Sequence, residues 1–300
     1  MHVTYPRRTF LAVVVLLVCS SAILPGAVAR ALPLANQAAP AAPAAQAAPA
    51  AQAAPASSAS STGPVASVAS TAPTVVVSGN HLLDSRSGAI FVPRGVNWPS
   101  FEYACAQGWG YSRDTTPAPA AIAAWHANTV RVPLNQDCWL GTHGSPAPEG
   151  STIRTAAGYR AAVGAFVTAL NAAGLVVILD LHSSTTGGPQ VSGQRAMTDA
   201  GSVTFWSSVA AAFESNRSVM FDAFNEPYSR YDDNNPTFLL TWSCWKSGGC
   251  QAPIEDDYTA TLSGRAYTVA GMTQIVSAIR AAGAPAPILV GGLDYSNDLR

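Results

Sequence analysis

Charge is scarce in this chain: Lys and Arg number 16 and Asp and Glu 17 in 300 residues, for a net charge of −1. So few cations cannot assemble a basic surface for nucleic acid or a polybasic patch for anionic lipid, and the expected ligand is neutral. Three motifs that would each fix a reaction class are also missing. No Gly-x-Gly-x-x-Gly follows the first strand pattern, which disfavours a dinucleotide fold. No Gly-x-Ser-x-Gly elbow occurs, which argues against a serine esterase. No His-x-His pair ends a strand, which argues against a metal-dependent amidohydrolase. Neither a metal nor an organic cofactor is expected.

Cysteine is limited to five residues, and Cys19 falls in a segment that should not survive export. Arg7 and Arg8 precede an apolar run from Phe10 to Leu24, and Ala27-Val28-Ala29 supplies a small-x-small cleavage pattern. Residues 1–29 therefore read as a secretory signal peptide, shorter in its apolar part than a bilayer-spanning helix needs. The expected product is secreted and extracellular, with no stable membrane insertion, and a monomer. Residues 30–74 are almost entirely Ala, Pro, Gln and Ser and read as an extended linker, because frequent prolines break the helix that alanine favours. Residues 75–300 form the folded part. Its four cysteines, Cys105, Cys138, Cys244 and Cys250, are an even number in an oxidising compartment. Disulfides Cys105–Cys138 and Cys244–Cys250 are the expected pairs, although spacing alone leaves the pairing open. Zinc ligation lacks a close Cys-x-x-Cys and neighbouring histidines.

Along the folded part, strand and helix patterns alternate. A hairpin over 74–92 turns at Ser78-Gly79-Asn80. Strands are expected at 91–97, 129–134, 175–182, 219–226 and 288–293, and helices at 117–127, 155–173, 200–215 and 264–282. Continuous aliphatic strands separated by helices imply a parallel sheet covered on both faces, hence a doubly wound sheet or a (β/α)8 barrel. Purposeful polar residues fall at the carboxyl ends of the strands: Asn97 and Trp98, Arg131 and Asn135, His182, Asn225 and Glu226, Asp294 and Tyr295. In a barrel these ends form one rim, where an active site belongs.

The run Val219 to Pro227 is the most informative stretch. It is short, apolar and rich in β-formers, and it closes in Asn225-Glu226-Pro227. The proline cannot donate a ladder hydrogen bond, so the strand is expected to stop at Glu226, with Asp222, Phe224 and Glu226 on one face. A carboxyl at the mouth of an apolar strand is held there by pairing, by hydrogen bonds or by protonation, conditions that suit a general acid. Capping of a neighbouring loop is the bland alternative for Glu226.

Four pieces together resemble glycoside hydrolase family 5, the retaining β-glycanases that include cellulases and β-mannanases. They are Arg94-Gly95-Val96-Asn97, Asn128-Thr129-Val130-Arg131-Val132-Pro133, Asp180-Leu181-His182 and Asn225-Glu226-Pro227, in that order on successive strands. The resemblance implies an α/β fold of the (β/α)8 TIM-barrel type and hydrolysis of β-1,4-type bonds in a polysaccharide or oligosaccharide such as cellulose or mannan. It further implies Glu226 as acid/base, Asn225 touching the sugar 2-hydroxyl, and Arg131 and His182 supporting the site.

Arg131 is a permanent cation in an apolar strand and needs a carboxylate partner. The family's nucleophilic glutamate is one candidate, and a bridge to Asp180 or Asp222 is the other. Aromatic residues suited to stacking on sugar rings include Trp98, Phe101, Tyr103, Trp109, Tyr111, Trp139, Trp242 and Tyr295. Asn97, Trp98, Trp139, Trp242 and Tyr295 are the expected substrate contacts. Packing in disulfide-braced loops is the alternative for each tryptophan. Trp245 belongs to the same set of aromatics, with a structural role as its alternative because it sits between Cys244 and the Cys250 turn.

The departure from the family is that only about five βα units are present, so 75–300 reads as the N-terminal part of a barrel. The family's nucleophile is not found. Glu102, Glu149, Glu214 and Glu255 fall in loops or on a helix surface, and none ends an apolar strand. The expectation is that the segment alone has no turnover and that a version with the barrel completed does. A non-catalytic glycan-binding or cell-wall scaffold protein on a degenerate barrel is the rival reading.

Overall fold

The computed structural model describes residues 70–108, 117–146, 154–185, 192–193, 195–232, 235–256 and 261–300. All belong to the second of two compact units, Gly63–Arg300. The signal peptide and nearly all of the linker lie outside the described residues, as do Trp109, Tyr111 and Glu149. The last linker residues depart from expectation. Ala72 is buried, Thr71 Oγ1 donates to Ala172 O at 3.1 Å and Ser218 Oγ to Ala72 O at 3.2 Å, so folded structure begins before Val75.

Strands β1 (Val75–Ser78) and β2 (His81–Asp84) form the expected antiparallel hairpin, Ser78 facing His81 across the Gly79-Asn80 turn. The Val75 N–H donates to Arg217 O, the residue two before β7, which sets the hairpin at the amino ends of the parallel strands. Then come β3 (Gly95–Asn97), α1 (Ala118–Ala124), β4 (Thr129–Asn135), α2 (Gln136–Leu140), α3 (Ala156–Ala172), β5 (Val176–Thr185), β6 (Ser192–Gly193), α4 (Ala200–Ala212) and β7 (Val219–Asp222). Two antiparallel hairpins follow, β8 (Arg230–Asp232) with β9 (Asn235–Phe238), and, after α5 (Trp242–Ser247), β10 (Gly248–Asp256) with β11 (Thr261–Ala270). Helix α6 (Met272–Ala281), β12 (Ile288–Leu289) and a short last turn, α7 (Leu293–Ser296), complete the order.

The parallel strands lie in the order β3-β4-β5-β7-β12, so every neighbour in space is the next in sequence. A doubly wound sheet would reverse direction from its first strand; this order does not, and it is that of a barrel wall. The sheet is an open partial barrel of five parallel strands.

Residue alternation assigns the two faces. Val130, Val132 and Leu134 of β4, Val177, Leu179 and Leu181 of β5, and Val219 and Phe221 of β7 join the large core under the helices. Val176, Ile178 and Met220 point the other way and pack with Val75 and Phe91 of the hairpin region in a smaller core. The same period continues past those residues and puts Arg131, Asp180, His182 and Asp222 on the inner face, toward the carboxyl ends. Gly95 is required by its neighbour strand: a Cβ there would lie 1.6 Å from Thr129 O.

The helices obey local rules. Thr155 caps α3 by accepting from the Gly158 N–H at 3.0 Å, and Tyr159, Val163, Phe166, Val167 and Leu170 make its buried stripe. Asp199 and Ser202 form a capping box on α4, whose Phe205, Trp206, Val209 and Ala210 are buried.

Four boundaries differ from the sequence expectations. The expected helix 264–282 is a strand in its first half. Tyr267 and Val269 are buried and Thr268 is exposed, a period of two, and Gly271 separates β11 from α6 where a Cβ would meet Gly248 N at 2.4 Å. In the strand expected at 91–97, the Phe91 N–H donates to Leu82 O of the hairpin, and pairing with β4 begins only at Gly95, past Pro93, which has no N–H to give. The strand expected at 288–293 is confined to Ile288–Leu289. The strand expected to end at Glu226 ends at Asp222. Beyond it the Ala223 N–H still reaches Leu289 O and the Asn225 N–H reaches Leu181 O, so the chain stays between its neighbours without regular pairing.

Both expected disulfides are formed, Cys105–Cys138 with Cα atoms 6.4 Å apart and Cys244–Cys250 with 5.8 Å. The first ties the turn after β3 to α2; the second closes α5 onto β10.

Candidate active site

The carboxyl ends of β3, β4, β7 and β12 surround a cleft of about 520 Å³ lined by Asn97, Arg131, Asp222, Phe224, Asn225, Glu226, Leu289, Val290, Gly291, Tyr295 and Ser296. Its centre is electrostatic. Asp180 and Asp222 are direct cross-strand partners on β5 and β7, which sets two carboxyls side by side at strand spacing. Two residues back on β4, Arg131 reaches both: Nη2 lies 2.9 Å from Asp180 Oδ2 and 3.0 Å from Asp222 Oδ2, and Nε donates to Asp222 Oδ2 at 3.0 Å. The same Nη2 donates to Asn225 Oδ1 at 3.0 Å. Asp180, fully buried, also meets His182 Nδ1 at 2.7 Å. That contact fixes which ring nitrogen faces inward and leaves Nε2 on the opposite edge of the half-buried imidazole.

One guanidinium shared by two carboxyls does not hold both ionised at neutral pH. Burial first, and then the Asp180 charge, push the Asp222 carboxyl up to about 7, against the opposing pull of Arg131. The consequence for stability has a definite sign. Because the folded value lies above the ordinary carboxylate value, the native state keeps a proton that the unfolded chain releases. The stabilisation from this group is complete below about pH 4 and is lost as pH rises through about 7. Asp222→Asn is therefore expected to flatten that fall, by roughly 2 kcal/mol, in chemical unfolding followed from pH 4 to pH 8. A wild-type slope retained in the variant would place the titration elsewhere.

Glu226 stands at the rim. It is exposed, four residues past the end of β7, with φ of 48°. A left-handed backbone is uncommon for a residue other than glycine and stores strain on the order of 1 kcal/mol, a feature that clusters at functional sites. The opposite wall repeats it in Asp294, Tyr295 and Ser296, with φ of 50°, 56° and 65°. The Tyr295 N–H donates to Pro227 O at 2.9 Å, so this wall is tied to the residue after Glu226. The Tyr295 ring is half exposed and stacks on Tyr228, centroids 5.3 Å apart and planes 3° from parallel.

The structure thus brings together Asn97, Arg131, Asn225, Glu226 and Tyr295 around the cleft, with His182 behind it on Asp180. The partner of Arg131 is the Asp180–Asp222 pair, the bridging alternative, because the strand register delivers those carboxyls to its guanidinium. Trp139 is not a sugar platform. It is 1% exposed on α2, edge-on to Tyr159 and Phe205, with Nε1 donating to Ser208 Oγ at 3.0 Å. Trp98 is half-buried, its ring 5.3 Å from that of Phe166, and lines a separate apolar hollow with Trp125. Trp242 packs edge-on against Trp245 at 5.1 Å and is not among the residues lining the cleft. Trp245 donates from Nε1 to Gly291 O at 2.9 Å and so buttresses the cleft wall.

Two carboxyls near the site were not singled out as site residues by the sequence. Asp222 entered as one of two possible bridges for Arg131 and as a residue on the Phe224 face. Glu102 was assigned to a loop, but the turn after β3 folds inward and leaves it 7% exposed. Burial pushes its carboxyl up, opposed by hydrogen bonds that include one from the Ser100 N–H at 2.7 Å. Glu214 is exposed after α4.

Residues 88–300 match the family model for cellulase, glycosyl hydrolase family 5. The chain belongs to that family. Among solved structures, the family 5 chain is similar to a β-glucanase from Saccharophagus degradans, at 20% identity and a TM-score of 0.51, covering 76% of this chain and 56% of that one. It is also similar to the catalytic domain of an endoglucanase from Thermobifida fusca, at 18% identity and a TM-score of 0.45, over 74% of this chain and 55% of that one. The chain therefore spans a little over half the length of these structures. No curated protein matches it.

Proposed function

We propose that the protein is an exported, retaining β-glycanase that cleaves β-1,4-type bonds in a neutral polysaccharide, with Glu226 as its acid/base. Membership of the cellulase family supports the reaction class. The observation that carries the residue assignment is that Glu226 is the solvent-facing carboxyl of the cleft, whereas Asp222 is tied to Arg131 behind it. In the mechanism the reading implies, Glu226 protonates the departing glycosidic oxygen and a second carboxyl about 5 Å away attacks the anomeric carbon. Glu226 then takes a proton from the incoming water. Asn225, with its amide oxygen on Arg131, presents its amino group to a sugar hydroxyl. Tyr295 offers a flat apolar face to a sugar ring. Export rests on the amino-terminal signal pattern and agrees with two formed disulfides.

Incubating a version with the barrel completed, beside the present chain, with carboxymethylcellulose and with mannan, followed by a reducing-end assay, tests the reaction: the completed version is expected to release reducing ends and the present chain none, and the faster substrate names the glycan. Proton NMR of the first-formed anomer tests retention, since inversion would yield the α-anomer first. Binding of cellotetraose with no new reducing ends from either polymer in the completed version would favour the non-catalytic glycan-binding reading.

A further inference from the structure

We propose that Asp222 is a positioning residue that sets the orientation of the Asn225 amide through Arg131, so that a carboxylate off the reaction path determines recognition of a sugar hydroxyl. The binding arm of this inference rests on the glycan reading above; the orientation itself does not.

The argument begins with donor counting. Arginine has five N–H donors and no acceptor, so the atom that Asn225 turns toward Nη2 is its oxygen, at 3.0 Å. The amide is planar, and its amino group consequently lies on the side away from the guanidinium. Asn225 lines the cleft and is 7% exposed, so its rotation is closely confined. Arg131 therefore decides which face of the amide the cleft receives.

The orientation of Arg131 depends in turn on Asp222. Nη2 serves Asp180, Asp222 and Asn225 together, whereas Nε has Asp222 as its hydrogen-bond acceptor. A planar fork held at one nitrogen can still turn about that contact; held at Nε and Nη2 it cannot. Asp180 alone would hold Nη2 without fixing the plane. The groups that bear on this cluster are Arg131 from β4, Asp180 and His182 from β5, and Asp222 with Asn225 from β7 and its extension. Glu102 adds its charge from the turn after β3.

The experiment combines two readouts on the full chain. In ¹⁵N-edited NMR without glycan, the Asn225 side-chain NH₂ pair, assigned by its loss in Asn225→Ala, is expected to shift in Asp222→Ala and to return toward its wild-type position in Asp222→Asn, which keeps an oxygen for Nε. Asp222→Leu replaces the alanine variant if the latter does not fold. In calorimetric titration with cellotetraose, Asp222→Ala and Asn225→Ala are each expected to lose about tenfold in affinity, and the double variant to lose no more than either, because both break one relay. An unmoved NH₂ pair in a folded Asp222→Ala overturns the proposal, as do losses that multiply in the double variant. If wild-type protein does not bind cellotetraose, the glycan reading fails, and the NMR result decides the relay by itself.

Discussion

In a version with the barrel completed, Glu226→Gln is expected to abolish turnover of an unactivated glycan, by about a thousandfold or more, while leaving sugar binding in place. Glutamine matches glutamate in size and keeps an acceptor, but it carries no proton to give to a departing alkoxide. The position suits the substitution: Glu226 is exposed on a segment whose backbone is held by neighbouring strands, so the side chain can change without opening the core. The leaving group discriminates chemistry from simple damage. An aryl β-glycoside with an acidic phenol departs without protonation, so its first step should lose far less than that of a polymer. Unchanged hydrolysis of polymer would remove Glu226 from the mechanism. Equal losses on both substrates, with cellotetraose binding gone, would make it a binding residue instead.

Arg131→Met is expected to be the most destabilising single change at the site, by about 3–5 kcal/mol at pH 8, because it leaves buried carboxyls without their cation. Asp180 is fully buried and would keep the His182 Nδ1 contact in place of a permanent cation. The penalty depends on pH with a fixed sign. Removing the cation removes the pull that opposes the rise of the Asp222 carboxyl, so the folded variant takes up a proton that the unfolded chain does not, and its stability recovers as the pH falls toward 5. Urea unfolding at pH 5 and at pH 8 reads the difference. A penalty equal at both would show that the loss is one of packing by the long arginine stem rather than of charge.

These expectations draw on features that the sequence discloses unevenly. The aliphatic run of β5, the Tyr159 to Leu170 stripe of α3 and the capped start of α4 follow rules of period and capping that act within a few residues, and they are legible. So are Arg131, His182, Asn225 and Glu226, because polar residues within or just past apolar strands are conspicuous. What hid was decided by contacts distant in sequence. Trp139 follows β4 closely enough to suggest the rim, but Asn135 starts α2 there, accepting from the Asp137 and Cys138 N–H groups, and turns the indole into the core. The partners of Arg131 depend on the register of β4, β5 and β7, which pattern alone does not set. The β10–β11 hairpin lay concealed in a stretch of mixed helix and strand formers, where Gly271 and its close approach to Gly248 decide the boundary. The inward course of the turn after β3, which buries Glu102, depends on a disulfide to α2.

The hairpin at the amino ends of the strands gives the unit a polarity. Residues 70–75 enter beside Ala172 and Arg217, at the pole opposite the cleft. Immobilising the unit on a bead or sensor through that entry would point its open mouth outward, so an insoluble fibre could be offered to it without the support standing in the way.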